Sequence, residues 1–170
     1  NIFYGDFVTV ARGFINRAAV TNASSGNLVI GVFLGCSYTN PTTKQKLYSQ
    51  YYPGSVAADD IMAFVSDDPN ALYKVVNVTS NVADSAVGGL LPAYLSRANS
   101  FGTNAELVLN TGSTTTGDSK MGVFINNVTT SLPFRVVDVV TDSANSSGNI
   151  VEFIVKFNAG YHAYNNATGT

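Results

Sequence analysis

The chain has 170 residues, of which 45% are hydrophobic and 12% are charged, and its formal net charge is −2 at pH 7. This length suits one domain with a sizeable core. Nine Lys and Arg residues lie evenly among eleven Asp and Glu residues, which leaves no basic stripe for phosphates and no polybasic cluster for anionic lipid. Nucleic acid and membranes are therefore poor partners for this composition.

Hydroxyl and amide side chains replace the missing charges, because the chain contains 18 Asn, 16 Ser and 16 Thr. No apolar run approaches the length of a transmembrane helix, and no charged segment followed by an apolar one marks a signal peptide. The sequence starts at Asn1 rather than Met. This start is compatible with processing or with a short missing leader.

Apolar and polar residues alternate with a period of two in many short stretches, and Gly, Asn, Asp or Pro separate these stretches. This pattern predicts β-strands. The last two of them should form an antiparallel hairpin, because Asn145–Asn149 between them consists of turn-forming residues. The predicted strands are Phe3–Ala11, Leu28–Thr39, Lys46–Tyr52, Ile61–Ser66, Ala71–Val78, Glu106–Leu109, Lys120–Ile125, Leu132–Asp142 and Ile150–Asn158.

Helical signals are weak by comparison. Val56–Ala63 and Ala93–Ala98 each predict one or two turns, since neither has an apolar stripe longer than that. The fold class is therefore all-β, a compact antiparallel β-barrel or sandwich with one or two short helical turns.

The domain organisation is simple. Residues 1–26 are predicted to form an N-terminal arm or a first strand, because the small and polar residues of Asn22–Gly26 are typical of a flexible connection. Residues 27–164 form a single β-rich domain, and residues 165–170 form a frayed tail.

The sequence contains no recognisable constellation of catalytic groups. Serine-type catalysis needs a base within hydrogen-bond reach, and the chain has one histidine, His162. Gly117–Gly122 has its second glycine one place too late for a nucleophile elbow. A surface or contact role is favoured for His162, and the protein is predicted not to be an enzyme. The single cysteine, Cys36, lies in a predicted strand and is expected to be buried and inert, with a reactive thiol as the alternative.

Metal and phosphate sites are not expected either. One His and one Cys cannot supply four zinc ligands. The acidic pairs Asp59–Asp60 and Asp67–Asp68 lack the spacing of a calcium loop, and Asp67–Asn70 is typical of a β-turn. Gly112–Gly117 has no Lys followed by Ser or Thr, so it indicates a polar surface loop. No metal ligand, cofactor or cofactor-binding residue is predicted.

Aromatic residues are the more informative group, since nine Tyr and ten Phe stand against no Trp. Tyr combines apolar area with a polar tip, which suits protein interfaces, and the same rings would also suit the edge of a barrel core. The candidate interface residues are Phe3, Tyr4, Tyr48, Tyr51, Tyr52, Tyr161 and Tyr164.

Four segments together resemble a family of small structural proteins encoded in the head-gene region of marine and cyanobacterial tailed phages. They are Gly31–Thr39, Tyr51–Gly54, Ala63–Tyr73 and Pro133–Val137, and the resemblance runs from about Leu28 to Asn158. It implies a β-barrel-like body and a virion component, most simply a capsid decoration or cement protein. The family brings no catalytic residues.

The resemblance implies that the protein lies on the capsid surface of a virion and that its partner is the major capsid protein. It would bridge neighbouring subunits, as a homo-oligomer, either dimer or trimer. The edge strands, the aromatic patches and the arm of residues 1–26 would provide the contact. The alternative is a tail- or fibre-associated module that binds host surface glycan through Thr- and Asn-rich loops.

Overall fold

The computed structural model describes residues 1–18, 28–78, 97–125, 131–140 and 151–167. Within these ranges the protein is mainly β, which confirms the predicted fold class. The elements in chain order are β1 (Phe7–Ala11), β2 (Phe14–Arg17), β3 (Val29–Thr39), β4 (Lys46–Ser49), β5 (Met62–Ser66), β6 (Tyr73–Val76), α1 (Arg97–Ser100), β7 (Asn104–Val108), β8 (Gly122–Phe124), β9 (Phe134–Val139), β10 (Glu152–Phe157) and a 3-10 turn (Ala163–Asn165).

The first sheet is built around β3, its longest strand. One side of β3 pairs with β1 near its start and with β4 near its end, and the other side pairs with β5. β2 pairs with β1 and forms the opposite edge of the sheet. All of these pairs are antiparallel, as the alternating sequence predicts.

Two irregularities in β3 change the side on which its residues pack. The pairing register shifts once where β3 meets β1 and once between Phe33 and Gly35 where it meets β5. Each shift is a β-bulge, which leaves one residue unpaired and reverses the alternation. Gly31 is required beside the first shift, because a Cβ there would overlap the carbonyl oxygen of Ser66.

The second sheet closes on itself. Its strand order is β6-β10-β9-β7-β8, and the residues just after β6 return to β8. Asn77 forms a parallel bridge with Val123, and the Val78 amide donates to the Val123 carbonyl at 2.9 Å. The outermost strands of this sheet are therefore joined, which leaves a ring of five strands around a common interior.

We call the larger hydrophobic cluster the ring core. It includes an aromatic group in which the Phe7 ring lies 4.7 Å from that of Phe134 and 5.9 Å from that of Phe157. Phe7 belongs to β1, so the first sheet covers one end of the ring. Full burial of each such ring stabilises the fold by about 1.5–3 kcal/mol. The buried members are Phe7, Ala18, Val29, Ala105, Leu107, Val123, Ile125, Phe134, Val136, Val139, Val151, Phe153, Val155 and Phe157.

We call the smaller cluster the groove core. Only four of its members are buried, namely Val8, Phe33, Cys36 and Tyr38. The hydrophobic residues around them are only partly buried: Ile2, Ile15, Ile30, Leu47, Tyr52, Val56, Ala58, Ile61, Ala63 and Val65. This core lies within the first sheet and its loops and is less completely covered than the ring core.

A buried ion pair ties the first residues of the chain to the rest. Asp6 is fully buried, and its Oδ2 lies 2.7 Å from Nε of Arg17 in β2 without hydrogen-bond alignment. The same carboxylate accepts from the Phe3 amide at 2.9 Å and from the Ser119 hydroxyl at 2.5 Å. Arg17 Nη2 donates to the Asn110 carbonyl at 2.6 Å. Buried carboxylates are retained when such partners surround them.

The structure describes residues 1–18 of the predicted N-terminal arm. Residues 7–11 form a strand, which matches the first-strand alternative, and residues 1–18 lie within the fold rather than projecting as an arm. Residues 19–26 are outside the described residues. β2 was not predicted at all, because it has only four residues and none of them is fully buried.

All nine predicted strands overlap observed ones, with differences at their ends. The predicted hairpin is confirmed by the antiparallel pairing of β9 and β10, although the loop 145–149 lies outside the described residues. The helical turn predicted for Val56–Ala63 is wrong, since β5 starts at Met62. Of the turn predicted at Ala93–Ala98, residues 97 and 98 are helical and 93–96 lie outside the described residues.

Candidate functional site

Three of the four carboxylates in the acidic pairs, those of Asp60, Asp67 and Asp68, accept hydrogen bonds from donors of the protein itself. Asp60 accepts from the Thr39 amide at 2.8 Å and from Lys46 Nζ at 2.9 Å. The Thr39 amide, followed by the Lys46 ammonium, holds the pKa of Asp60 well below its usual range. Asp68 Oδ1 accepts from the Asn70 amide, as in the predicted β-turn. Within the described residues, no group of three or more His, Cys, Asp and Glu could hold a metal ion.

His162 is a buried structural residue. Its Nδ1 accepts from the Tyr164 amide at 3.2 Å, which caps the 3-10 turn. Its ring lies 5.0 Å from that of Phe157 and 5.3 Å from that of Tyr164. Burial lowers the pKa of the imidazole, which the Ile30 carbonyl and Asp67 raise to a smaller extent. The predicted surface position of His162 is therefore wrong, because the ring is buried inside the fold.

Cys36 lies on β3 inside the groove core with 1% of its surface exposed. Its thiol lies 3.8 Å from the Tyr51 carbonyl, a weak hydrogen bond. Burial raises the pKa of the thiol, which disfavours the reactive thiolate. The predicted burial of this cysteine is confirmed.

An exposed apolar surface lies on one face of the first sheet, and we call it the aromatic face. It comprises Tyr4, Leu34, Tyr48 and Phe64, which line a shallow depression of about 450 Å³. Tyr48 is 77% exposed and the other three are 45–46% exposed. Four large side chains that are each at least 45% exposed on one surface indicate a binding role, since isolated exposed apolar residues are common but groups are not.

The sheet register explains why these side chains surround a depression. Gly35 of β3 lies opposite Phe64 of β5, and Ser37 of β3 lies opposite both Tyr48 and Met62. The central strand therefore carries small residues between the larger side chains of its two neighbours. Directly opposed residues point to the same face of a sheet, so the depression follows from this size difference.

The seven candidate interface residues lie in different parts of the structure. Tyr4 and Tyr48 lie on the aromatic face. Phe3 was wrongly placed at an interface, because it is only 1% exposed and its ring stacks on that of Tyr51 at 5.7 Å. Tyr51 is half-buried as a result, with no side chain on the aromatic face. The positions of Phe3, Tyr4 and Tyr51 follow from the way in which residues 1–6 pair with the first sheet.

The other three tyrosines lie elsewhere. Tyr52 is half-buried against the groove core, and its hydroxyl donates to the Val56 carbonyl at 3.1 Å. Tyr161 is half-buried, and burial raises its pKa. Tyr164 is exposed, and its hydroxyl donates to Asp67 Oδ2 at 2.8 Å. None of the three lines the depression.

Sequence reasoning missed Leu34 and Phe64 on the aromatic face. Phe64 had a signal, because Met62-Ala63-Phe64-Val65 is apolar at consecutive positions and so presents apolar side chains on both faces of a strand. Such a run is unusual on a surface unless it has a function. Leu34 had no signal, since the bulge that turns it outward depends on pairing with β5.

A second surface feature is an apolar groove of about 410 Å³. It opens onto the groove core, with Phe33 and Cys36 of β3 among its lining residues. Phe14 and Ile15 of β2 contribute from one edge of the first sheet, and Met62 and Ala63 of β5 contribute from the other. Asp59 is the acidic residue of the lining, which is completed by Ile2, Gly13, Tyr52, Ala58 and Ile61.

No helix within the described ranges is long and apolar enough to cross a membrane. Searches against protein-family models, curated proteins and solved structures find nothing that matches this chain. The geometry of the two surfaces is therefore the main basis for a functional proposal.

Proposed function

We propose that this protein is a non-enzymatic structural component of a tailed-phage virion. It is a capsid decoration or cement protein that binds the outside of the assembled head and bridges neighbouring subunits of the major capsid protein. The aromatic face carries this proposal, because its four exposed apolar side chains form a surface suited to a protein partner. The family resemblance of the sequence supplies the identity of that partner.

The mechanism is mass action. A protein that binds the assembled shell and not its separate subunits lowers the free energy of the assembled state. Tyr4, Tyr48 and Phe64 would contribute apolar area on burial, and the tyrosine hydroxyls can remain hydrogen-bonded at the rim. The low charge of the chain reduces the desolvation cost of such a contact.

The fold makes the aromatic face a rigid binding element. Leu34, Tyr48 and Phe64 lie on paired strands, and Tyr4 is held by bonds from its amide to Gly117 and from Ser119 to its carbonyl. A surface that is already ordered loses little conformational entropy on binding. Residues 1–18 belong to this scaffold, so the contact proposed here does not use them as an arm. A dimer or a trimer of the protein would match two-fold or three-fold positions of a shell.

The test uses purified shells of the major capsid protein from the phage that encodes the chain. The wild-type chain should co-sediment with shells, and virions should contain it in hundreds of copies, on the order of the subunit number of a shell. Tyr48→Asp should weaken binding by about tenfold or more, because a charge would be buried in an apolar contact. Phe101→Asp is the matched control, since Phe101 is also exposed but follows α1 beside the second sheet.

Equal co-sedimentation of both variants would exclude the aromatic face as the contact. Absence of the chain from purified virions would exclude the virion proposal itself. The two outcomes are distinct, because the first concerns the surface and the second concerns the partner.

A glycan-binding tail or fibre module remains the second candidate, and one observation favours it. The loop 111–117 carries the exposed residues Thr114, Thr115 and Thr116 beside Tyr4, whose amide donates to the Gly117 carbonyl at 2.9 Å. Hydroxyl groups next to an exposed aromatic ring can bind sugars. Binding of host glycan that is lost in Thr115→Ala, together with only a few copies per virion, would favour this function over the first.

A further inference from the structure

The apolar groove lies between the two outer strands of the first sheet. β2 pairs only with β1, and β5 pairs only with β3, within the part of the chain that the structure describes. Both outer strands contribute lining residues to the same groove, Phe14 and Ile15 from β2 and Met62 and Ala63 from β5. The groove is therefore an apolar space bordered by two strand edges.

The edge of β5 lacks the usual protection against pairing. Its residues Met62–Ser66 include no charge and no proline, and Met62 is 62% exposed. Among the described residues, backbone hydrogen bonds of this strand go to β3 alone. A neutral edge of this kind is a template for an additional strand.

The charges at the ends of β5 influence which kind of strand can pair with this edge. Asp59 and Asp60 precede the strand, and Asp67 and Asp68 follow it. A second copy of the chain, paired antiparallel about Phe64, would bring Asp60 of one copy against Asp68 of the other, and like charges in opposed positions destabilise a sheet. In this register the opposed carboxylates oppose self-association, less strongly because Lys46 binds Asp60, and a strand with basic ends avoids the repulsion altogether.

Two of these carboxylates are compensated by the protein itself. Asp60 binds Lys46, and Asp67 accepts from the Tyr164 hydroxyl. Asp59 is exposed and lines the groove at one end of the strand, and Asp68 is exposed at the other. These two residues provide the negative charge that a basic partner would meet.

We propose that the β5 edge and the apolar groove bind an extended segment of another protein as an added strand. Apolar side chains at alternate positions of that segment occupy the groove, and a Lys or Arg at each end lies near Asp59 or Asp68. At about 3.3 Å per residue, these basic residues are roughly eight to ten positions apart. This proposal goes beyond the capsid role and does not depend on it, because it concerns a different surface and names its partner only by chemistry.

The experiment is a selection from a random dodecapeptide display library on the immobilised full-length chain. We expect enriched peptides to alternate apolar and polar residues, to lack proline in the centre and to carry basic residues towards both ends. Enrichment of no peptide, or of peptides without alternation or without basic ends, would overturn the proposal.

Two variants, Phe14→Asp and Asp59→Lys, test where on the chain the peptide binds. Phe14→Asp should weaken the best selected peptide by about tenfold or more, because it places a charge in the apolar groove. Phe101→Asp is the control, and thermal melts should show that both variants remain folded, as expected for residues that are 75% and 62% exposed. Asp59→Lys should reverse the preference at one end of the peptide from basic to acidic.

Strand addition has its own signature in hydrogen exchange. Amides of β5 that face away from β3 should become protected when the peptide binds. Binding that leaves β5 exchange unchanged, or equal binding to the Phe14→Asp and Phe101→Asp variants, would contradict the proposed site.

Discussion

The two sheets of this protein differ in their outer strands, which are joined in the second sheet and separate in the first. In the second sheet, the bridge between Asn77 and Val123 joins the residues after β6 to β8, and the ring that results encloses fourteen buried hydrophobic residues. In the first sheet, β2 and β5 stay apart on either side of a groove, and only four hydrophobic residues of its core are buried. The second sheet therefore stabilises the fold, and the first combines structure with surfaces that can bind a partner.

Replacing a buried phenylalanine by alanine in each core tests the difference between the two sheets, and it should have the largest effect on the free energy of unfolding. Phe134→Ala in the ring core should lower the free energy of unfolding by about 3–5 kcal/mol, because a closed interior cannot collapse around the cavity. Phe33→Ala should cost less, about 3 kcal/mol or below, since its side chain borders the open groove and water can enter. Urea denaturation monitored by circular dichroism measures both. Equal costs would mean that the groove core is as closed as the ring core.

The buried ion pair tests whether residues 1–18 belong to the structural part of the molecule. Asp6→Ala should lower the free energy of unfolding by about 2–4 kcal/mol, because it leaves Arg17 unpaired and removes the acceptor for Phe3 and Ser119. The lower end of this range allows for the partial exposure of the Arg17 side chain, 28%. The double variant with Arg17→Met should recover part of the loss. A cost near zero would mean that residues 1–6 contribute little to the fold.

His162 predicts a dependence of stability on pH. Burial lowers its pKa in the folded protein below the ordinary value of 6.5. The unfolded chain therefore binds a proton more readily, and stability should fall as the pH drops below about 6.5. His162 contributes fully above that pH, where both states are neutral. Thermal melting between pH 5 and 7.5 measures the slope. His162→Asn, which keeps an acceptor for the Tyr164 amide, should flatten it, and an unchanged slope would assign the effect to other groups.

Substitutions on the open surfaces should have the smallest effect on stability. Phe14→Asp and Tyr48→Asp should each change the free energy of unfolding by about 0.5 kcal/mol or less, because both side chains are at least three-quarters exposed. Chemical denaturation measures this directly. A loss above about 2 kcal/mol would show that these residues serve the fold rather than a partner.

Strands with regular alternation were predicted from the sequence, and the strand that depends on an irregular turn was missed. β10 was predicted because Phe153, Val155 and Phe157 alternate with outward residues over its whole length. β2 was missed because it depends on a two-residue turn, Arg12-Gly13, in which both residues have positive φ. Asn-Gly or Asp-Gly would have indicated such a turn, whereas Arg is a poor signal for it.

The surfaces were less predictable than the strands. Tyr4 and Tyr48 were found by residue type alone, but the same criterion selected Phe3, which is buried. Leu34 was hidden because a bulge in β3 turns it outward, and the groove arises from residues of β2 and β5 that are about fifty positions apart. Long-range pairing sets both features, and local alternation does not contain that information.

Gly31 has a consequence for how this sequence can change over time. A Cβ at position 31 would overlap the Ser66 carbonyl oxygen, and a Cβ at position 35 would lie 2.9 Å from the Ser49 carbonyl oxygen, which is also too close. Exposed positions such as Tyr48 can be substituted with little effect on packing, but these two glycines cannot be replaced without a new path for β3. In divergent descendants of this chain, the paired glycines four positions apart are the mark that we expect to persist after the surface residues have been replaced.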